Sequence, residues 1–249
     1  MRALRYLRTF LLLYSFTIYI VEAAVPRKIK SDEAAQIIKK LSDWYKDEEA
    51  YSMDIEIRTY KEFSSDLVHD SKKGYVKKKG RNFHSYMMGT HSIQNSKYKI
   101  TLDSARNFMS IKDAEQNMWE NISLEILGRY LNASSNITVS DVNGNYVLKI
   151  VPPINSALKQ YELIYDNKNR ISKITMEMEK EELAEDGKTR FMIYPKIVFE
   201  FKNYSKIPKI GADEFITESY VTLGAEIVPN KEYAKFDFFD LRVNDKLNK

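Results

Sequence analysis

Three histidines, His69, His84 and His91, are the side chains of this 249-residue chain best suited to acid–base or metal chemistry near neutral pH. Their spacing does not build a helical zinc site. No HExxH is present, and His84 and His91 could meet across a hairpin. A metal would also need further ligands and a supporting shell, so structural or surface roles are expected for all three. The chain has no cysteine, which removes thiol nucleophiles, disulfides and thiolate metal sites. No GxSxG elbow, phosphate-binding P-loop or GxGxxG occurs. Glu177, Glu179, Glu181 and Glu182 read as a solvated strand end and hairpin. A glycosidase-type carboxylate pair would have to be assembled from distant strands. The expectation is a chain with no enzymatic activity, no metal and no cofactor.

Residues suited to binding are more prominent. Lys77, Lys78 and Lys79, followed by Arg81, form the one basic cluster. It reads either as a charged edge that discourages strand-to-strand aggregation or as a surface patch for anionic lipid head groups or an acidic partner. Methionine recurs at Met87, Met88, Met109, Met118, Met176, Met178 and Met192. Such flexible apolar side chains fill gaps in a core, and they also suit a surface that accepts acyl chains of varied shape. Phe83, Met87, Met109, Met118, Trp119, Ile126 and Leu127 are the candidate lining of such an apolar cavity, with Trp119 and its neighbours as a lid. The net charge of +4 is modest, so a nucleic-acid partner is not expected.

The elements that must position these residues follow from hydrophobic period. Ser31 reads as the cap of a helix with Asp32 and Glu33 in its first turn. Ala34, Ile37, Ile38, Leu41, Trp44 and Tyr45 fall on one of its faces. From Tyr51 to Arg58 the period changes to two, with odd positions apolar. Further strands are expected over 74–79, 82–88, 97–102 and 107–111, then 136–141, 146–151, 160–165, 171–180, 189–204 and 234–243. A small helical insertion is expected over 113–132. Asn143-Gly144-Asn145, Asp166–Asn169 and Glu185–Lys188 are turn signals between alternating runs, which argues for antiparallel hairpins. Pro195 implies a bulge or an edge position. The implied fold class is α+β: a strongly curved antiparallel sheet, a half-barrel, with the N-terminal helix and the helical insertion on its concave face.

The N-terminus places this domain. Arg2, Arg5 and Arg8 precede an apolar run from Phe10 to Val21, and Ala23 and Ala24 follow. This is the pattern of a signal peptide over residues 1–23, with an exposed arm over 24–30. The apolar run is short for a membrane span, which needs about 20 residues, though an uncleaved anchor is the rival reading. Export, no N-terminal cysteine to carry a lipid and no disulfides together imply a soluble periplasmic protein. Four Asn-x-Ser/Thr triplets, at Asn121, Asn132, Asn136 and Asn203, arise readily by chance in an Asn- and Ser-rich chain.

Gly74-Tyr75-Val76-Lys77-Lys78-Lys79-Gly80-Arg81-Asn82-Phe83, placed after an amphipathic helix and an alternating strand, resembles a strand and turn of the LolA/LolB-type periplasmic lipoprotein carriers. Tyr161–Asp166 with Arg170–Ile174 is similar to a later hairpin of that family. The resemblance spans roughly residues 31–204 of a single domain at 31–249 and leaves 205–249 as an extension. It implies a half-barrel whose apolar cavity shields acyl chains of lipoproteins or lipids. Lys79-Gly80 stands where the family has an Arg-Pro pair, so the family's arginine latch is missing. The alternative is an adaptor subunit of an envelope assembly, with the same fold, a filled core and a protein partner.

Overall fold

The computed structural model describes residues 25–114, 131, 136–184, 188–206, 210–211, 213–224 and 226–242. A short strand, β1 (Arg27–Lys28), precedes the helix α1 (Ser31–Asp47). Then come β2 (Ala50–Tyr60), β3 (Asp70–Lys79), β4 (Asn82–Met87), β5 (Thr90–Gln94), β6 (Tyr98–Asp103) and β7 (Phe108–Asp113). The chain resumes with β8 (Asn136–Val142), β9 (Asn145–Val151), β10 (Leu158–Asp166), β11 (Ile171–Met178), β12 (Lys180–Leu183), β13 (Arg190–Ile193) and β14 (Lys196–Ser205). Two short strands, β15 (Val221–Thr222) and β16 (Val228–Pro229), precede β17 (Asp237–Asp240). Thirteen strands form one open, curved sheet in the order β1-β8-β9-β10-β11-β14-β2-β3-β4-β5-β6-β7-β17. Every pairing in it is antiparallel except β17 with β7, which is parallel.

Helix α1 forms where the 3.6-residue period is, and it buries Ala34, Ile38, Leu41 and Tyr45. Each of the larger three contributes about 1.5–3 kcal/mol on leaving water. Ser31 does not cap it. Lys30 precedes the first turn, and the Ser31 hydroxyl donates to the carbonyl of Leu131 at 2.9 Å. At the other end the Lys78 ammonium donates to the carbonyls of Lys46 and Glu48, groups a helix C-terminus leaves without partners. Burial of the Tyr45 hydroxyl, which accepts from the Ile171 N–H at 2.9 Å, raises its pKa.

Three expectations need correction. The run 189–204 is not one strand: Pro195, which has no N–H for a ladder, separates β13 from β14, and β12 and β13 form a hairpin outside the main sheet. His91–Gln94 lie in a strand, β5, that the polar sequence concealed. Part of the N-terminal arm is edge strand, with Arg27 and Lys28 paired to β8 and Ile29 buried.

The sheet has two cores on opposite faces. The register carries Met53 to Val76 and Ile57 to Phe199, so the odd residues of β2 share a face with α1. Tyr51, Ile55, Leu148, Ile150, Tyr161 and Leu163 fill that face beneath the helix. Beyond β3 the apolar parity inverts. Ile100, Leu102, Met109 and Ile111 lie on the other face and pack with Val221, Ile227, Tyr220, Tyr233 and Phe238 of the C-terminal segment.

Candidate functional site

Strand register sorts the candidate cavity residues. Lys78 pairs with Phe83 and Val76 with Ser85, so Phe83 and Met87 point to the α1 face, where Phe83 is buried and Met87 packs against the main core. Met109 lies opposite Leu102 on the reverse face and is fully buried under the C-terminal segment. It therefore cannot line one cavity with Phe83 and Met87. Met118, Trp119, Ile126 and Leu127 lie outside the described residues, as do the signal segment 1–23 and most of the helical insertion.

The α1 face of β4–β7 carries mostly polar side chains. One straight cross-strand row reads Val76, Ser85, Ser92, Thr101, Ser110, Phe239. A second reads Lys78, Phe83, Gln94, Lys99, Lys112. Gln94, Lys99 and Ser110 are all buried here. Gln94 donates to the Arg81 carbonyl at 3.1 Å, and the Lys99 ammonium lies 5.4 Å from the Phe83 ring centre.

The basic cluster does not form one patch. Alternation sends Lys78 to the α1 face, where it caps the helix and lies 5.9 Å from the Tyr51 ring centre. Lys77 faces the other way and donates to the Glu214 carboxylate at 2.9 Å. Only Lys79 and Arg81 stay exposed.

A titratable cluster surrounds Lys77 on the reverse face. His84 Nδ1 is 2.9 Å from the same Glu214 oxygen, and the Tyr75 hydroxyl is 3.1 Å from His84 Nε2. The rings of His84 and His91 lie 5.8 Å apart, so the two meet across the β4–β5 hairpin. Burial lowers the pKa of His84 against the pull of Glu214, and burial plus His84 lowers that of His91. The Glu214 carboxyl is held below its usual range because hydrogen bonds and charge from Lys77 and His84 outweigh its burial. Glu214 is the residue that sequence reasoning missed: it lies 130 positions from His84, and no local motif marks it. No set of three or more potential metal ligands gathers among the described residues.

Two surface features complete the inventory. A groove of about 370 Å³ on the sheet is lined by Asp54, Ile55, Glu56, Lys73, Gly74, Lys202 and Asn203, a mixed-charge lining rather than an apolar one. At the end of the sheet where β2 stops and β14 starts, two loops and the β12–β13 hairpin carry exposed apolar side chains. The loop before β10 presents Ile154, the loop after β2 presents Leu67 and Val68, and the β12–β13 region presents Leu183, Phe191, Met192 and Tyr194. Phe63 and Tyr194 bind the loop and the hairpin region together, ring to ring at 5.7 Å. No helix among the described residues is long and apolar enough to cross a membrane.

No known family profile matches this chain, and no curated protein sequence does. Among solved structures it is similar to a LolA superfamily protein from Nitrosomonas europaea, with 12% identity over 74% of this chain and 98% of that one and a TM-score of 0.30. It is also similar to the lipoprotein LppX of Mycobacterium tuberculosis, with 13% identity over 72% of this chain and 100% of that one and a TM-score of 0.31. A third is an outer membrane lipoprotein-sorting protein domain from Vibrio parahaemolyticus, with 10% identity over 76% and 99% and a TM-score of 0.30. At these scores the backbones do not superimpose closely enough to carry any residue's role across.

Proposed function

We propose that this chain is an exported, non-enzymatic binding protein that works through its surface, as an adaptor in a cell-envelope assembly. The observation that carries the reading is the apolar end of the sheet. Leu183, Phe191, Met192 and Tyr194 are 42–59% exposed, and Leu67 and Ile154 more than 80%. Leu183 and Met192 lie on one face of the β12–β13 hairpin and Phe191 on the other, and several large exposed apolar side chains at one end of a sheet mark an interaction site. Lys180 with Glu182 and Arg190 with Glu181 form ion pairs on the same hairpin, a mixed-charge surround that suits a protein partner better than an anionic lipid surface. Among the described residues, α1 packs on one apolar region of the main sheet and the C-terminal segment on the other.

The carrier reading has one observation of its own: Phe83 and Met87 share the α1 face beyond the strands that α1 fills. On that reading they receive the acyl chains of lipids or lipoproteins, at about 0.8 kcal/mol per buried CH₂. Native mass spectrometry of the protein, released gently from its own envelope, separates the two. The adaptor reading expects a stoichiometric protein partner that Phe191→Ser with Met192→Ser releases. A lipid or acylated protein displaced by detergent, with no protein partner, replaces it with the carrier reading.

A further inference from the structure

The β12–β13 hairpin runs past its neighbours. It prolongs the β11–β14 pair beyond the point where β10 begins, with Leu158 opposite Met178, and beyond the point where β2 ends, with Tyr60 opposite Lys196. Three backbone bonds fix which of its residues face outward. The Ala184 N–H donates to the Thr189 carbonyl at 2.7 Å and the Met178 N–H to the Pro195 carbonyl at 3.0 Å, both across the hairpin's own line of pairing. The Glu179 N–H points the other way and donates to the Ala157 carbonyl at 2.7 Å. Bonded and outward residues alternate along an antiparallel pair. Arg190 and Met192, and Tyr194 after them, therefore turn their N–H and C=O groups to the outer edge of β13, while Glu181 and Leu183 turn theirs to the outer edge of β12. Pro195 falls in the inward set, so its missing N–H does not blunt the β13 edge.

The two edges differ in their fitness to pair with a copy of themselves. Antiparallel self-pairing about a two-fold axis sets the central residue against its own copy. On β12 an axis at Glu181 or Glu182 opposes two glutamates, which is destabilising. On β13 an axis at Met192 opposes Met192 with Met192, Phe191 with Ile193 and Arg190 with Tyr194. No like charges meet, and the guanidinium falls beside an aromatic ring. Lys and Pro, which commonly protect an edge strand, are absent from 190–194. Phe191, Met192 and Tyr194 are all exposed along this line. The loop after β2 flanks it, with Phe63 ring to ring with Tyr194 and the Lys196 ammonium donating to the Ser65 carbonyl at 2.9 Å.

We infer that the partner of this apolar site is a second copy of this chain, joined by antiparallel pairing of β13 with β13 about Met192. The inference rests on the reading of this end of the sheet as the interaction site. The product is a four-stranded ribbon, β12-β13-β13-β12. Arg190, Met192 and Tyr194 of both copies share one of its faces, and Phe191 and Ile193 of both share the other.

Sedimentation of the purified chain alone, over about a hundredfold range of concentration, tests this. A dimer that dissociates on dilution is expected. Met192→Lys, which sets two ammonium groups face to face, is expected to weaken it about tenfold or more. The chain has no cysteine, so Met192→Cys carries a single thiol. Opposed residues of a hydrogen-bonded antiparallel pair have Cα atoms about 5.5 Å apart, within reach of a disulfide. Met192→Cys is expected to cross-link two copies under mild oxidation, and Leu183→Cys, on the β12 edge, is not. A monomer at every concentration overturns the inference. So does a dimer that Met192→Lys leaves unchanged, or one that cross-links through Leu183→Cys and not through Met192→Cys. The two readings fail separately. A monomeric purified chain that still loses a different envelope subunit through Phe191→Ser with Met192→Ser overturns only the self-pairing, and a chain that shows neither overturns both.

Discussion

The half of the sheet from β8 to β2 and the strands β6 and β7 obey the same alternation and carry their aliphatic residues on opposite faces. In the first half, Tyr51, Ile55, Leu148 and Leu163 meet α1, a helix that is continuous in sequence with β2. In the second, Ile100, Leu102, Met109 and Ile111 meet a strap that arrives more than a hundred residues later. Where the parity changes, between β3 and β5, neither side is simply core. Val76 and Phe83 point to the α1 side, His84 and Ile93 to the strap side, and the titratable cluster sits at this seam. An open sheet can thus carry two covers of different strength. A 17-residue helix with a continuous apolar stripe is one, and a segment of isolated turns held by Lys77, His84 and two Asn side chains is the other.

The comparison can be broken at several points. The largest effect is expected under the helix: Leu163→Ala leaves a cavity in a fully buried site and costs about 2–5 kcal/mol in denaturant unfolding. Met109→Ala removes a side chain just as buried but should register first as strap opening, with faster exchange over Thr217–Tyr233 and a smaller shift of the global midpoint. An equal loss for both in global unfolding alone would mean that the strap is no more separable than the helix. Gly74→Ala tests the seam. A Cβ there would lie 2.3 Å from the Tyr86 carbonyl oxygen, so β3 and β4 must part, at about 1–3 kcal/mol. Lys78→Met keeps the stem over Tyr51 but removes the donor to the last carbonyls of α1, and about 1 kcal/mol should be lost, read from thermal melts. The smallest effect belongs to Arg81→Ala, on the exposed side of the turn, within about 0.5 kcal/mol in the same melts.

Much of the fold was legible because its signals are local. The 3.6-residue stripe of α1, the alternation of β2 and the Asn143-Gly144 turn each reside in a few neighbouring residues, and the structure has an element at each place. His84 and His91 were legible as hairpin partners for the same reason. Strand β5 was hidden because His91, Ser92 and Gln94 surround a single apolar Ile93. The candidate cavity was less legible, since Met109 and Met87 look alike in sequence and only the register shows that they face apart. Lys77, Lys78 and Lys79 read as one patch because they are adjacent, and a pleat of period two separates them.

The amino-acid sequence by itself determined an α+β chain with an amphipathic helix and a series of antiparallel hairpins, because period, turn chemistry and composition act over short distances. It also determined the absence of thiol chemistry, which needs only a count. Tertiary structure alone decided which face each half of the sheet buries, that the C-terminal strand joins β7 in parallel, and that Glu214 closes on His84. These are contacts between residues far apart in the chain. Their free energy comes from burial and charge pairing that exist only once the chain has closed on itself, so no local pattern records them.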